Sequence, residues 1–148
     1  MSNRIRMYTL NTQGANQWLA VDKDKNDASM ARTPQTTSAL GPVWYIAKSG
    51  DGYTIQASTG EYLYGEPEGE AVSLISDEDN ATVWDFVQDT SSAALTTYQI
   101  SIQGVSPTTY LKSRSGSHKS VELTTGVGTD TQWVLMHPNT VEEAAGDA

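Results

Sequence analysis

Asp22-Lys23-Asp24-Lys25-Asn26 places oxygen-bearing side chains at alternate positions, the opening of a loop that wraps a hard cation. Such a calcium loop also needs Gly at its sixth position for a sharp turn and Glu at its twelfth for bidentate ligation. Those positions hold Asp27 and Thr33, and two lysines interleave positive charge. No metal is expected there. The two histidines, His118 in SRSGSHKS and His137 before Pro138, stand beside no nucleophile motif, and neither G-x-S-x-G nor H-E-x-x-H occurs. Both read as surface residues. Carboxylates are plentiful, but acid–base catalysis needs two of them brought together in space, and solvated surface charge is the commoner reason for an acidic composition. The reading is a binding protein without catalytic residues, metal or cofactor. Asn80-Ala81-Thr82 is a glycosylation sequon, which acts only on a secretory route.

The scaffold that must present these residues has 148 of them, enough for one core of useful size. Cysteine is absent, which rules out disulfides and thiolate metal sites and leaves burial to hold the fold. Nine basic residues against eighteen acidic ones give a formal charge of −9, a field that repels phosphate backbones. No nucleic acid partner is expected. MSNRIRMYTL lacks the apolar core of a signal peptide, and no apolar run is long enough to span a bilayer. The expectation is a cytoplasmic protein with no membrane partner.

Period-2 alternation, broken by Gly, Pro, Asn, Asp and Ser clusters, runs through MYTL, GYTIQA, AVSLIS, TYQISI and SVELTT, the pattern of short half-buried strands. The alternation also repeats on a larger scale. Tyr8-Thr9-Leu10, Tyr53-Thr54-Ile55 and Tyr98-Gln99-Ile100 recur 45 residues apart. Each is followed by an apolar anchor, Trp18-Leu19, Tyr62-Leu63 or Tyr110-Leu111, then by Ala28-Ser29-Met30, Val72-Ser73-Leu74 or Val121-Glu122-Leu123. Trp44-Tyr45-Ile46, Trp84-Asp85-Phe86 and Trp133-Val134-Leu135 close the three copies. Three repeats of four strands predict an all-β chain of the β-trefoil class, with repeats over about 4–49, 50–93 and 94–138 in one domain and an acidic tail over 139–148. Trp44, Trp84 and Trp133 then meet in one core layer. Trp18, outside that frame and beside a polar turn, is expected to be less buried.

In these features the chain resembles the small cysteine-free β-trefoil proteins of mushrooms, which comprise ricin-B-like lectins and protease inhibitors of the mycocypin and cocaprin kind. The stretch VWYIAKSGDGYTI is similar to a mycocypin segment in which a Trp strand, a basic residue and a short turn lead into Tyr-Thr-Ile. The cocaprin resemblance implies inhibition of papain-like cysteine proteases and pepsin-like aspartic proteases through different loops, and a homodimer. Some mycocypins act on legumain, and no motif here decides for or against that target. The lectin resemblance implies a Q-x-W motif and a sugar-binding Asp about twenty residues before it. Pro42, Thr82 and Thr131 stand two before the three Trp, and Gln132 falls out of phase.

The first reading is therefore a protease inhibitor. Its cysteine-protease contact is placed at Asp22, Lys23, Asp24, Lys25, Asn26 and Asp27, a loop pinned between two strands whose ordering costs little on binding. Ser113 to Ser120 is the competing loop, longer and richer in Gly and Ser. The alternative is a carbohydrate-binding lectin with at most one degenerate sugar site, in the first repeat at Asp22. GEPEGE at 65–70 and SDEDN at 76–80 read mainly as charge for solubility.

Overall fold

The computed structural model describes residues 4–13, 17–22, 27–32, 43–66, 71–90, 95–114 and 119–136. Thirteen strands follow one another among them: β1 (Arg4–Thr9), β2 (Gln17–Asp22), β3 (Asp27–Arg32), β4 (Trp44–Ser49), β5 (Gly52–Ala57), β6 (Tyr62–Glu66), β7 (Ala71–Ile75), β8 (Trp84–Asp89), β9 (Thr97–Ile102), β10 (Tyr110–Lys112), β11 (Lys119–Ser120), β12 (Glu122–Thr124) and β13 (Trp133–Met136). The thirteenth arises because the third strand of the last repeat is interrupted at Val121. On one side of the break β11 pairs with β3, and on the other β12 pairs with β10 and β7. The change of partner at Val121 splits a strand that the alternating pattern leaves whole.

Six strands close a ring. β1 pairs with β4, β4 with β5, β5 with β8, β8 with β9, β9 with β13, and β13 with β1, all antiparallel. Closure leaves this ring with no edge strand to manage. The hairpins β2–β3, β6–β7 and β10–β12 form the second layer. They join cyclically, β3 to β7, β7 to β12 and β11 to β3. A six-stranded barrel with three hairpins across one end is the β-trefoil the repeats predicted.

The three Trp carry the symmetry. Trp44, Trp84 and Trp133 are each fully buried, and each indole Nε1 donates to the carbonyl of a Leu in its own repeat. Trp44 reaches Leu19 O at 2.8 Å, Trp84 reaches Leu63 O at 3.3 Å, and Trp133 reaches Leu111 O at 2.9 Å. The bonds satisfy the one polar atom of each ring, so burial of about 150–250 Å² per side chain is gained without an orphan donor. At about 25 cal/mol per Å² this is a gross contribution of about 4–6 kcal/mol per Trp. Trp18 is half-buried instead. Its ring meets Tyr8 edge-on at 5.1 Å, and the Arg6 guanidinium lies 5.7 Å from its centroid.

Strand pairing corrects the 45-residue alignment of the first repeat. Trp44, Trp84 and Trp133 face Ile5, Tyr53 and Tyr98 across one strand boundary, and Ala57, Ile102 and Thr9 across the other. Tyr53 and Tyr98 therefore correspond to Ile5, three residues before Tyr8. The register brings Met7, Ile55 and Ile100, all fully buried, into one layer. A shift by an odd number of residues turns the side chain to the other face, and Tyr8 duly lies on the outside against Trp18.

Two glycines set where strands approach. Gly50 takes φ +60°, a left-handed conformation that turns the chain between the paired residues Ser49 and Gly52. Gly65 lies under Trp84, and a Cβ on it would come within 2.9 Å of Trp84 Cη2. Its N–H donates at 2.8 Å to Thr82 Oγ1. Thr82 is one of the residues two before a Trp, and its hydroxyl ties the approach to β8 onto β6.

Candidate functional site

The Leu–Trp bonds give a frame for comparing the repeats, since Leu19, Leu63 and Leu111 are equivalent. The residue after each Leu is Ala20, Tyr64 or Lys112, and the third residue after each is Asp22, Glu66 or Arg114. Only the second repeat sets an aromatic ring beside a carboxylate. In the third, Lys112 Nζ lies 3.4 Å from Glu122 and 3.9 Å from Asp130, so the position is spent on ion pairs within the protein.

Tyr64 lines a cavity of about 490 Å³ together with Ile75, Ser76, Asp77 and Asn80. The sequence Ser-Asp-Glu-Asp-Asn builds its floor locally. Asp77 caps a 3-10 turn over Glu78–Asn80, its Oδ1 accepting from the Asp79 N–H at 2.9 Å. Its Oδ2 accepts from Asn80 Nδ2 at 2.6 Å, and the Asn80 backbone N–H closes the turn on Asp77 O at 3.2 Å. Three bonds thus fix one carboxylate and one amide side by side. The amide retains a second N–H and its carbonyl oxygen. Nearby, partial burial first, then the charge of Glu78 and a hydrogen bond to it, raise the Tyr62 phenol above its ordinary 10.0.

Tyr64 also lines a second cavity of about 620 Å³, together with Glu66, Val105, Ser106, Pro107, Thr109 and Thr125. The loop between β9 and β10 shapes it. Thr109 Oγ1 donates to Pro107 O at 3.1 Å, and Thr109 O accepts from the Ile102 N–H at 3.0 Å. A third cavity, about 630 Å³, opens at the barrel end away from the hairpins. Its walls are Ile5, Tyr53 and Tyr98 with Ile46, Phe86 and Leu135, two sets of threefold-related positions and mostly apolar. Tyr53 and Phe86 meet edge-on there at 5.6 Å.

Of the residues singled out in the sequence, Asp22 and Asp27 end β2 and begin β3 and are paired with each other. Lys23, Asp24, Lys25 and Asn26, with His118 and His137, lie outside the described residues. Ser113, at the start of the competing loop, is fully buried and shares a 2.6 Å hydrogen bond with Thr9, so that loop begins further along than expected. Among the described residues, no group of three or more His, Asp or Glu could hold a metal ion, and no helix is long and apolar enough to cross a membrane. Tyr64, Asp77 and Asn80 escaped the sequence reading, which took 76–80 as solubility charge and Asn80 as a sequon. An aromatic after the second-repeat Leu was the available signal.

No family model matches the chain, and no curated protein matches it in sequence. Solved structures match it in shape. The Macrolepiota procera ricin B-like lectin (MPL) in complex with lactose superposes with a TM-score of 0.73 at 14% identity, over 93% of this chain and 98% of that one. SeviL bound to asialo-GM1 saccharide gives 0.69 at 13%, over 94% and 100%. The BEL beta-trefoil gives 0.65 at 16%, over 90% and 91%. At these identities the likeness defines the class through the fold: an all-β protein of the β-trefoil type.

Proposed function

We propose that this β-trefoil is a carbohydrate-binding protein whose sugar site lies in the second repeat, on Tyr64, Asp77 and Asn80. One observation carries the reading: a carboxylate and an amide, locked together at 2.6 Å, line the same cavity as an aromatic ring. Vicinal sugar hydroxyls both donate and accept, so one can donate to Asp77 while its neighbour accepts from the Asn80 N–H. The apolar C–H face of a pyranose suits the Tyr64 ring, and a pocket of this size holding a few convergent polar groups fits a small polar ligand. Two of the structural neighbours hold lactose and asialo-GM1 saccharide, which supports the same class of ligand here.

This replaces the inhibitor reading as the main one, since these neighbours lend protease inhibition no support. It also moves the sugar site from Asp22 to the next repeat, where Glu66 occupies the equivalent place and Tyr64 adds the ring. A glycan array followed by calorimetric titration of the best ligand tests it. Tyr64→Ala and Asn80→Ala are each expected to weaken binding tenfold or more, about 1.4 kcal/mol. Full affinity in both variants refutes the site.

A further inference from the structure

Tyr64 belongs to two cavities at once, and this bears on how much of a glycan the site can hold. Among the described residues, the first cavity is lined by the second repeat, from Tyr64, Ile75, Ser76, Asp77 and Asn80. The second is shared between repeats: Glu66 comes from β6, whereas Ser106, Pro107, Thr109 and Thr125 come from the third repeat. Each volume, about 490 and 620 Å³, lies within the roughly 300–1,000 Å³ usual for small-ligand sites. A ring that lines two such spaces makes them neighbours, so one chain of sugars can reach both.

The second space has the chemistry for this. Glu66 is exposed and offers acceptor oxygens only, while the Ser106 and Thr125 hydroxyls both donate and accept. Val105 and Pro107 supply apolar wall. The charge is one-sided: Glu66 and Asp77 line the two cavities, Glu78 and Asp79 stand beside them, and neither described lining contains Lys or Arg. An acidic sugar entering either space would meet like charge with no cation in the described lining to offset it. The arrangement is also particular to this repeat, since Ala20 and Lys112 replace Tyr64 in the others.

Resting on the glycan reading above, we infer that the site takes a neutral oligosaccharide of at least two rings, one held at Asp77 and Asn80 and the next across Tyr64 against Glu66 and Thr125. The binding determinant is then a linkage between sugars as well as a terminal residue, and the third repeat takes part in specificity. Methyl β-galactoside, lactose, asialo-GM1 saccharide and its sialylated counterpart, titrated into the whole chain, separate the possibilities. Lactose or asialo-GM1 saccharide should bind at least tenfold more tightly than methyl β-galactoside, and the sialylated form should bind more weakly than its neutral parent. In Thr125→Trp, which fills the second cavity, the oligosaccharide-to-monosaccharide affinity ratio should fall towards one; Glu66→Gln should lower the same ratio and relax the discrimination against the sialylated form. Circular dichroism of each variant checks that it is folded. Equal affinity of the wild-type protein for mono- and oligosaccharide overturns the inference and leaves the single-sugar site standing. If none of the four probes nor any array glycan binds, both fall.

Discussion

Gly65→Ala tests how the core and the site are joined. The added Cβ would lie 2.9 Å from Trp84 Cη2, 3.2 Å from Ile102 Cδ1 and 3.4 Å from Leu123 Cδ1. None of these can retreat freely: Trp84 is fully buried, its indole held on Leu63 O at 3.3 Å, and Ile102 and Leu123 belong to the same core. Overpacking of this kind costs about 1–3 kcal/mol. For a chain of this length that corresponds to a fall in Tm of roughly 3–10 °C. The strain must move either Trp84 or β6, and β6 carries Tyr64 and Glu66, so glycan affinity should drop with stability. Gly126→Ala is the control, because its nearest neighbour would be Thr124 Oγ1 at 3.9 Å, and it should unfold within about 1 kcal/mol of wild type. Differential scanning calorimetry of both variants decides. A Gly65→Ala protein as stable as wild type would refute the close packing of β6 on Trp84.

Trp44→Phe strips the indole N–H from a 2.8 Å bond and leaves Leu19 O buried without that donor, a loss of about 1–3 kcal/mol before the cost of the smaller ring; urea unfolding should show it, with Trp84→Phe losing less from its 3.3 Å bond. The raised Tyr62 phenol means the folded chain holds that proton more tightly than the unfolded chain. Its contribution to stability is whole below the unfolded value of about 10 and disappears as pH rises through the higher folded value; thermal melts should therefore lose stability above about pH 10, and Tyr62→Phe should lessen that loss. Lys112→Met, which breaks a partly exposed ion pair with Glu122, should change stability by about 1 kcal/mol or less in thermal melts. Replacing Lys25-Asn26-Asp27 with Gly and Ser should leave papain activity untouched to the same degree as the parent does; a parent that inhibits papain and a loop variant that does not would restore the inhibitor reading.

The repeat was legible because it is written in bulk. Trp44, Trp84, Trp133, Leu19, Leu63 and Leu111 are large apolar residues in the same local frame, and all six are fully buried. The register of β1 was not legible. Tyr8-Thr9-Leu10 imitates Tyr53-Thr54-Ile55 in composition, but pairing opposite the Trp strands decides register, and cross-strand partners do not show in one sequence. Likewise the Asp77 cap is a local motif open to reading, whereas its meeting with Tyr64 depends on how β6 and β7 fold against the following turn. Asp22 matches, in a single repeat, the spacing that the lectin resemblance implies; the structurally equivalent Glu66 is identified only by the three Leu–Trp bonds that set the repeats in register.

Calorimetric titration of the strongest array glycan into wild type and Asn80→Ala addresses the carbohydrate assignment most directly. The second-repeat site predicts measurable heat and a single site per chain for the wild-type protein, with affinity lowered at least tenfold when the amide that Asp77 holds at 2.6 Å is removed. Glycan binding that survives Asn80→Ala and Tyr64→Ala unchanged, or an array on which no glycan binds, would contradict it.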